Sequence, residues 1–558
     1  MKSFIKLLLL SGVMAGTVSC TDLDTDLNGQ YTKVPHNDIL TQSRFEACYY
    51  YLRQEAWFGR NFWEGVFLQG DEAIGCTYDG LYYDNGRHIL PSQHNLNPDV
   101  PGTGMMGAAM EGISYTNIQI KEFGGADGKD PMVAPLRAIR ALYHFWIMEL
   151  YGDVPILDHQ LEADEFADRM PRKQVAEWIE SELLDILSQE GALKEENNSD
   201  TYGRPNKWMA EALLVKLYLN WGVYTNDINT VNNNTPNEKL DDCVYWCDQL
   251  TASGLFEVGK GYRKKFFPDN GVQIKDFIYA IPFDTKTLWV SDDWRRYSAG
   301  HEMDRWFNYR YNTCCKPSLW NYTVKNGAAG IWILTNECVA RFNLPGDERN
   351  DMILNGQVYA FDAITFEKTD EPVVVYTNAR FRTKLADLKF TTDFEFVDKS
   401  TNNLGSDNDY NNLMKGARLA KYPVTDFDDK NYGRIQSNDI PMFRYADILL
   451  TKAECILRGA KATNGDTPAS LIDKVRDCSS APHINGTPTL QDVLDERCRE
   501  LIYEPWRRND LIRFGQFEAD WGIKNEVNPS AKETWRRLMP IPTSEMERNT
   551  NWKQNPNY

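Results

Sequence analysis

Residues 496–517 restrict the possible folds of this chain more than any other stretch; they read ERCRELIYEPWRRNDLIRFGQF. Their apolar residues recur at three- and four-residue steps, with one break at Pro505. That spacing predicts two helical segments with one face turned toward a core. Between the apolar positions stand charged residues of both signs, at a density that is unusual for a solvated face: Arg497, Arg499, Glu500, Glu504, Arg507, Arg508, Asp510 and Arg513. This density suggests that the charges do more than face solvent; the alternative interpretation of the stretch is an ordinary amphipathic helix with salt links on its surface.

Helical periodicity recurs along much of the chain and predicts a mainly α protein. It is strongest at residues 132–151, and further helices are expected at about residues 43–58, 106–123, 172–188, 206–223, 239–253, 441–459, 467–478 and 490–503. Their hairpin-like pairs have a spacing near that of tetratricopeptide repeats, although no strict consensus repeats. No linker rich in Pro, Ser or Gly divides the chain. We therefore expect one large globule on a helix-pair scaffold, with long irregular loops and a few short strands.

The N-terminal residues indicate export and a lipid anchor. Lys2 and Lys6 flank an apolar run that is too short to span a membrane, which is typical of a secretory signal peptide. Cys20 follows small residues, as in a bacterial lipobox. We expect residues 1–19 to be removed and Cys20 to carry the acyl chains. A plain signal peptide with a chance cysteine is the alternative.

The net charge and the aromatic content limit the classes of ligand. A formal charge of −19 argues against binding nucleic acid and against docking on anionic lipid, because both need a basic surface. Aromatic residues make up 12% of the chain, with 16 Trp and 28 Tyr. This composition suits a protein that handles neutral or weakly charged ligands.

The sequence carries no familiar motif of catalysis or metal binding. It contains no G-x-S-x-G, H-E-x-x-H or P-loop pattern, and its seven histidines are scattered. The sequence therefore predicts a protein that is not an enzyme and needs no cofactor or metal. Acidic residues are so numerous that choosing two as a glycosidase pair would be arbitrary. The cysteines after Cys20 include no CxxC pair, and we expect most of them to be buried thiols.

Five segments together carry a family resemblance. They are residues 496–517, residues 137–156 (RAIRALYHFWIMELYGDVPI), Arg341-Phe342 with Asp347 and Arg349, residues 441–454 (PMFRYADILLTKAE) and residues 538–558. As a set they resemble the SusD/RagB family of outer-membrane nutrient-binding lipoproteins of Bacteroidetes, from residue 20 to the last. The chain departs from the family pattern at Cys498, where Arg is usual, at Pro505-Trp506, where Gly-His is common, and at Asn557, where Gly is commoner.

The resemblance implies a glycan-binding protein that captures oligosaccharide or polysaccharide and delivers it to a SusC-like TonB-dependent transporter. The acidic run of Asp22, Asp24 and Asp26 resembles the export tag of lipoproteins that face the cell exterior. Peptide import, a surface glycoside hydrolase and a scaffold without a small ligand are the alternatives. Some family members hold a structural calcium, which Asp269-Asn270 is too little to predict here.

Two aromatic clusters predict where the ligand binds. Residues 57–87 and 289–332 mix Trp and Tyr with Asn, Asp and Arg, and the second cluster lacks sustained helical periodicity. Aromatic faces stack on the C–H faces of sugar rings while polar neighbours hydrogen-bond the hydroxyl groups. The resembled family builds its glycan platform from an early loop and middle loops, which gives these candidates: Tyr82, Tyr83, Asn85, Trp294, Trp306, Tyr309 and Trp320. The alternative is that the rings fill a loop-covered core.

A further set of charged residues is expected to hold the scaffold together. Arg444, Asp447 and Glu454 lie in an otherwise apolar segment, where an unpaired charge is costly. Their simplest partners lie in residues 496–517, beginning with Glu500. We therefore predict a structural ion network of Arg444, Asp447, Glu454, Arg499, Arg508 and Asp510. Direct contact of these groups with ligand is the alternative.

These expectations divide the mature chain into two parts. The N-terminal part, residues 20–258, contains helical scaffold and an early binding loop at residues 59–105. The C-terminal part, residues 259–558, contains aromatic ligand loops at residues 284–335 and the scaffold helices and signature at residues 441–558.

Overall fold

The structure is a computed structural model. It describes residues 37–100, 104–283, 298–308, 315–316, 329–377, 384–425 and 436–558. The chain forms two compact units, Met1–Arg44 and Phe45–Tyr558. In the smaller unit the described residues are helical from Asp38 onward. Every site described below lies in the larger unit.

The described part of the chain is mainly helical, which confirms the predicted fold class. Its helices are α1 (Asp38–Tyr50), α2 (Asn61–Gly65), α3 (Ile89–Ser92), α4 (Met105–Phe123), α5 (Ala134–Tyr151), α6 (Arg172–Ser188), α7 (Lys207–Leu219), α8 (Trp221–Thr225), α9 (Leu240–Ala252), α10 (Ala299–Phe307), α11 (Asn336–Arg341), α12 (Tyr410–Leu413), α13 (Tyr445–Leu457), α14 (Pro468–Arg476), α15 (Leu490–Leu501), α16 (Arg507–Arg513), α17 (Lys524–Val527) and α18 (Thr543–Arg548).

The strands are short and antiparallel. They are β1 (Ala73–Gly75), β2 (Phe277–Ile281), β3 (Cys315–Lys316), β4 (Trp332–Leu334), β5 (Ile353–Leu354), β6 (Gly356–Gln357), β7 (Tyr359–Phe361), β8 (Lys368–Pro372), β9 (Val374–Tyr376), β10 (Leu385–Asp387), β11 (Lys389–Phe390), β12 (Arg418–Leu419) and β13 (Ile440–Arg444). The pairs β1–β4, β2–β13, β5–β12, β6–β11 and β7–β8 are two-stranded, and β9 lies between β3 and β10.

The long helices pack side by side in a row. α4 packs on α5, α5 on α6, α6 on α7 and α7 on α9, and α9 packs on α13, which contacts α14 and α15. Because α5 lies inside this row, its side chains from Leu136 to Tyr151 are buried around the whole helix. Burial of each large apolar side chain contributes about 2 kcal/mol. The contacts between neighbouring helices of the row therefore stabilise the scaffold.

The predicted helix at residues 441–459 is wrong in its first turn, because residues 440–444 form strand β13. This strand pairs with β2, with Ile440 opposite Ile281 and Arg444 opposite Phe277. All five of its residues are buried, and α13 begins only at Tyr445. A short apolar run has the same sequence pattern in a buried strand and in a buried helix. The partner strand β2 decides between the two.

Two other predicted helices are interrupted. The helix expected at residues 43–58 ends at Tyr50 and is followed by a 3₁₀ turn (Tyr51–Arg53) and a π-helical turn (Glu55–Gly59). The helix expected at residues 206–223 breaks at Asn220, whose side-chain amide donates to the Lys216 carbonyl at 2.9 Å. Asparagine side chains compete with the main-chain hydrogen bonds of a helix in this way.

The cysteines whose side chains the structure describes are buried free thiols. They are Cys48, Cys76, Cys243, Cys247, Cys338, Cys455, Cys478 and Cys498. This agrees with the prediction that most of the cysteines act as small apolar residues. Within the described ranges, no helix has both the length and the apolar character that crossing a membrane requires.

Candidate functional site

The C-terminal part of the early aromatic cluster lies in a loop at residues 77–88, between β1 and α3. Four of its non-glycine residues have positive φ: Asp79 (46°), Tyr82 (65°), Asp84 (43°) and Asn85 (56°). Asp and Asn tolerate such backbone angles comparatively well, whereas a bulky residue such as Tyr82 adopts them at a cost of about 1–3 kcal/mol. The loop therefore holds its shape only because other contacts fix it.

Contacts at both ends fix this loop. At its start, the Thr77 amide donates to the Asn402 carbonyl at 3.1 Å, and the buried Tyr78 hydroxyl donates to the Gly330 carbonyl at 3.3 Å. At its end, Arg87 forms an ion pair with the buried Glu64 and donates to Asn61 Oδ1 at 2.6 Å. These anchors leave only the middle of the loop facing outward.

The middle of the loop presents an aromatic and polar surface. Leu81 is 49% exposed and Tyr83 is 42% exposed, while Tyr82 is half-buried and packs on the core. Asp84 and Asn85 follow them and are exposed. A ring face beside carboxylate and amide groups is able to stack on a sugar ring and to hydrogen-bond its hydroxyl groups. The structure thus brings Tyr82, Tyr83 and Asn85 together on one loop.

Trp306 requires a correction, because its ring lies in the core. It is 1% exposed, and its indole N–H donates to Glu302 Oε2 at 2.6 Å. Its centroid lies 4.4 Å from that of His88 and 6.1 Å from that of Trp332. A ring enclosed in this way offers no face to a ligand, and it supports the end of the loop from beneath through His88. The candidates Trp294, Tyr309 and Trp320 lie outside the described residues.

A buried charged cluster lies beside the loop anchor. Arg60 Nε contacts Glu64 Oε1 at 2.8 Å and Glu302 Oε2 at 3.9 Å. Burial raises the pKa of Glu302 to about 7, even though Arg305 and Arg60 favour its charged form. Burial also lowers the pKa of His88 to about 3, so this ring is neutral near pH 7. Its Nδ1 accepts the indole N–H of Trp332 at 3.2 Å.

The substitution Glu302→Gln should make the protein more stable relative to the wild type as pH rises. The pKa of Glu302 is about 7 in the folded chain and 4.5 ordinarily, so its contribution to stability is full below about pH 4.5 and is lost as pH rises through 7. Each pKa unit corresponds to 1.36 kcal/mol, so the raised pKa of Glu302 changes the free energy of unfolding by at most about 3 kcal/mol. Between pH 5 and pH 8 we expect the difference in stability between the variant and the wild type to change by about 2 kcal/mol. Urea unfolding of both proteins at the two pH values measures it. Parallel pH dependences would contradict the assignment.

All six residues of the predicted ion network are buried, and Arg444 is the centre of a cluster whose carboxylates are not among the predicted members. The Arg444 guanidinium donates to Asp276 at 2.6 Å, to Glu500 at 2.7 Å and to Glu504 at 2.9 Å. Glu500 also contacts Arg349 at 3.0 Å. Strand β13 and the end of α15 are thereby joined.

The remaining predicted members divide into two groups. Three contact one another through arginines of the signature: Asp447 pairs with Arg497 at 2.8 Å, Asp510 with Arg497 at 2.7 Å, and Glu454 with Arg513 at 2.7 Å. Arg499 and Arg508 instead pair with groups outside residues 444–454. Arg499 pairs with Glu496 at 2.8 Å, and Arg508 donates to Gln69 and to the Arg537 carbonyl.

Sequence reasoning missed Arg507 as the residue that links the signature to the loop. Arg507 Nε lies 2.6 Å from Asp71 Oδ1, and Arg341 also reaches Asp71 at 2.9 Å. Asp71 precedes β1, from which the candidate loop departs. Arg341 and Arg507 both stand in segments that carry the family resemblance, but their pairing with Asp71 is a tertiary contact.

The described residues include no group of three or more His, Cys, Asp or Glu side chains arranged to hold a metal ion. Arg444, Asp447, Glu454 and Asp510 are buried and have their charged partners within the protein. The loop at residues 77–88, by contrast, presents exposed groups that are available to a ligand.

Solved structures share this fold. The surface glycan-binding protein A from Bacteroides thetaiotaomicron in complex with laminarihexaose superposes with a TM-score of 0.65 at 19% identity, over 93% of this chain and 100% of that one. A SusD superfamily protein from Parabacteroides distasonis gives a TM-score of 0.67 at 16% identity, over 94% and 100% of the two chains. This chain therefore shares the fold of these solved structures.

Sequence comparison agrees with the fold. The model of the SusD family matches residues 287–558. The starch-binding protein SusD of Bacteroides thetaiotaomicron is 25% identical over 456 residues, which are 76% of this chain and 72% of that protein. The C-terminal part of this chain, residues 287–558, is therefore similar to the SusD family.

Proposed function

We propose that this protein binds oligosaccharide at the cell surface and passes it, chemically unchanged, to a SusC-like TonB-dependent transporter. The observation that carries the proposal is the anchored loop with the exposed Tyr83 ring beside Asp84 and Asn85. Two relatives support it by what they bind: starch for the protein SusD, and laminarihexaose for the surface glycan-binding protein A. Both ligands are built from glucose units, so a neutral glucan is the first ligand to test.

The proposal includes a lipid anchor at Cys20, after removal of residues 1–19. Its support is the sequence pattern at the N-terminus, which lies outside the described residues. An acyl anchor would hold the protein on the outer membrane and leave its folded part in water.

The protein that begins after Cys20 should bind at least one glucan hexaose in titration calorimetry. The arms are laminarihexaose, maltohexaose and a pool of hexapeptides at equal concentration. The glucans should release heat saturably, and prolonged incubation should generate no new reducing ends. Binding of the peptide pool with no response to a broad glycan panel would instead favour peptide import. Release of reducing sugar would identify a surface glycoside hydrolase.

A further inference from the structure

A pocket elsewhere on the protein shares no residue with the loop at residues 77–88. It has a volume of about 260 Å³ and lies between α1, the following 3₁₀ turn, residues 202–204 and β2. The polar residues of its lining are Glu46, Tyr49, Arg53, Tyr202, Arg204 and Tyr279. The lining thus carries two guanidinium groups and one carboxylate. Arg53 also interacts electrostatically with the carboxylates of Asp439 and Glu46, so the pocket and its surroundings are close to neutral.

The phenol side of the pocket is held in place. The Tyr202 hydroxyl donates to Asp439 Oδ2 at 2.7 Å, and Asp439 Oδ1 accepts the Phe283 amide at 2.8 Å. Burial raises the pKa of both Tyr49 and Tyr202, so these phenols are neutral. The pocket therefore offers fixed aromatic walls and neutral hydroxyl groups.

The two arginines of the pocket differ in their partners. Arg204 pairs with Glu46, at 3.0 Å from Nε and 2.6 Å from Nη2. Arg53 donates from Nη1 to the Pro282 carbonyl over a long 3.4 Å and lies 4.9 Å from the centre of the Tyr50 ring. Within the part of the chain that the structure describes, Arg53 forms no ion pair with a carboxylate. Since a guanidinium has five N–H donors, most of those of Arg53 are available to a ligand.

We propose that this pocket binds a carboxylate-bearing sugar, a hexuronate residue, with Arg53 as the carboxylate ligand. The fork of a guanidinium matches the two oxygens of a carboxylate. Tyr49, Tyr202 and Tyr279 supply ring faces and hydroxyl groups for the sugar ring. The small volume suits one sugar ring rather than a long chain. The proposal does not depend on glycan binding at residues 77–88, because the two sites share no residue.

The decisive comparison is between galacturonate and galactose, which differ at the carboxylate, measured with the protein that begins after Cys20. Galacturonate should bind at least tenfold more tightly than galactose, and also more tightly than acetate, which has no ring. Equal affinity for the two sugars would overturn the proposal without any variant. Equal affinity for acetate and galacturonate would overturn it as well, since the pocket would then be a general anion site.

Substitution of Arg53 tests whether galacturonate binds in this pocket. Arg53→Met should lower the affinity for galacturonate at least tenfold, and Arg53→Lys should lower it less because the positive charge stays. Glucan binding should be the same in both variants and in the wild type. Arg548→Met, at an arginine with a 61% exposed side chain, is the matched control and should change nothing. Galacturonate binding to Arg53→Met at the wild-type level would place the uronate elsewhere and overturn the assignment.

Discussion

Replacement of Arg444 by Met should lower the free energy of unfolding by about 4 kcal/mol. Arg444 is 1% exposed, and Met would remove the charge that Asp276, Glu500 and Glu504 share. Each carboxylate would keep one other cation. Lys265 lies 2.8 Å from Asp276, Arg349 lies 3.0 Å from Glu500, and Lys421 lies 2.6 Å from Glu504. The loss is therefore large without removing every partner, and the variant should still fold.

Urea unfolding of the protein that begins after Cys20 measures this loss. The matched control is Lys368→Met, which breaks a 2.9 Å pair with Asp351 in which both side chains are 43% exposed. Exposed pairs contribute about 1 kcal/mol or less, so this control should remain close to the wild type. An Arg444→Met protein as stable as Lys368→Met would show that the network does not hold the scaffold.

The double substitution Tyr82→Ala, Tyr83→Ala should weaken glucan binding about 50-fold. Each ring that stacks on a sugar contributes about 1–1.5 kcal/mol, and every 1.4 kcal/mol is a factor of ten in affinity. Tyr83→Ala alone should cost about tenfold. The measurement is calorimetry with the glucan that the wild-type protein binds most tightly.

Two controls separate a lost contact from a damaged loop. Tyr82 packs on the core, so the thermal midpoint of each variant must be recorded, whereas Tyr83 is exposed and its loss should leave stability unchanged. Tyr245→Ala removes another exposed tyrosine, on α9, and should bind glucan like the wild type. Full glucan affinity in the double variant would mean that the loop is not the binding surface.

The helical scaffold could be predicted because its signal is local. The helices at residues 106–123 and 172–188 were placed within a residue of α4 and α6, since apolar residues three and four apart define a buried helix face. Residues 441–444 were misassigned because a short apolar run has no period long enough to separate strand from helix. The positive φ of Tyr82 had no sequence signal, whereas Asn85 before Gly86 is a residue type that tolerates such an angle in a turn.

By itself, the sequence determined the mainly α fold class, the family motifs and the choice of an aromatic loop as candidate site. Only the tertiary structure decided that Trp306 lies in the core and Tyr83 on the surface, although both stand in aromatic clusters. It also decided the pairing of charges, such as that of Arg507 with Asp71 across 436 positions. The physical reason is the distance along the chain between the residues that interact. Helical periodicity is set by side chains one turn apart, whereas burial and ion pairing depend on which distant segments meet.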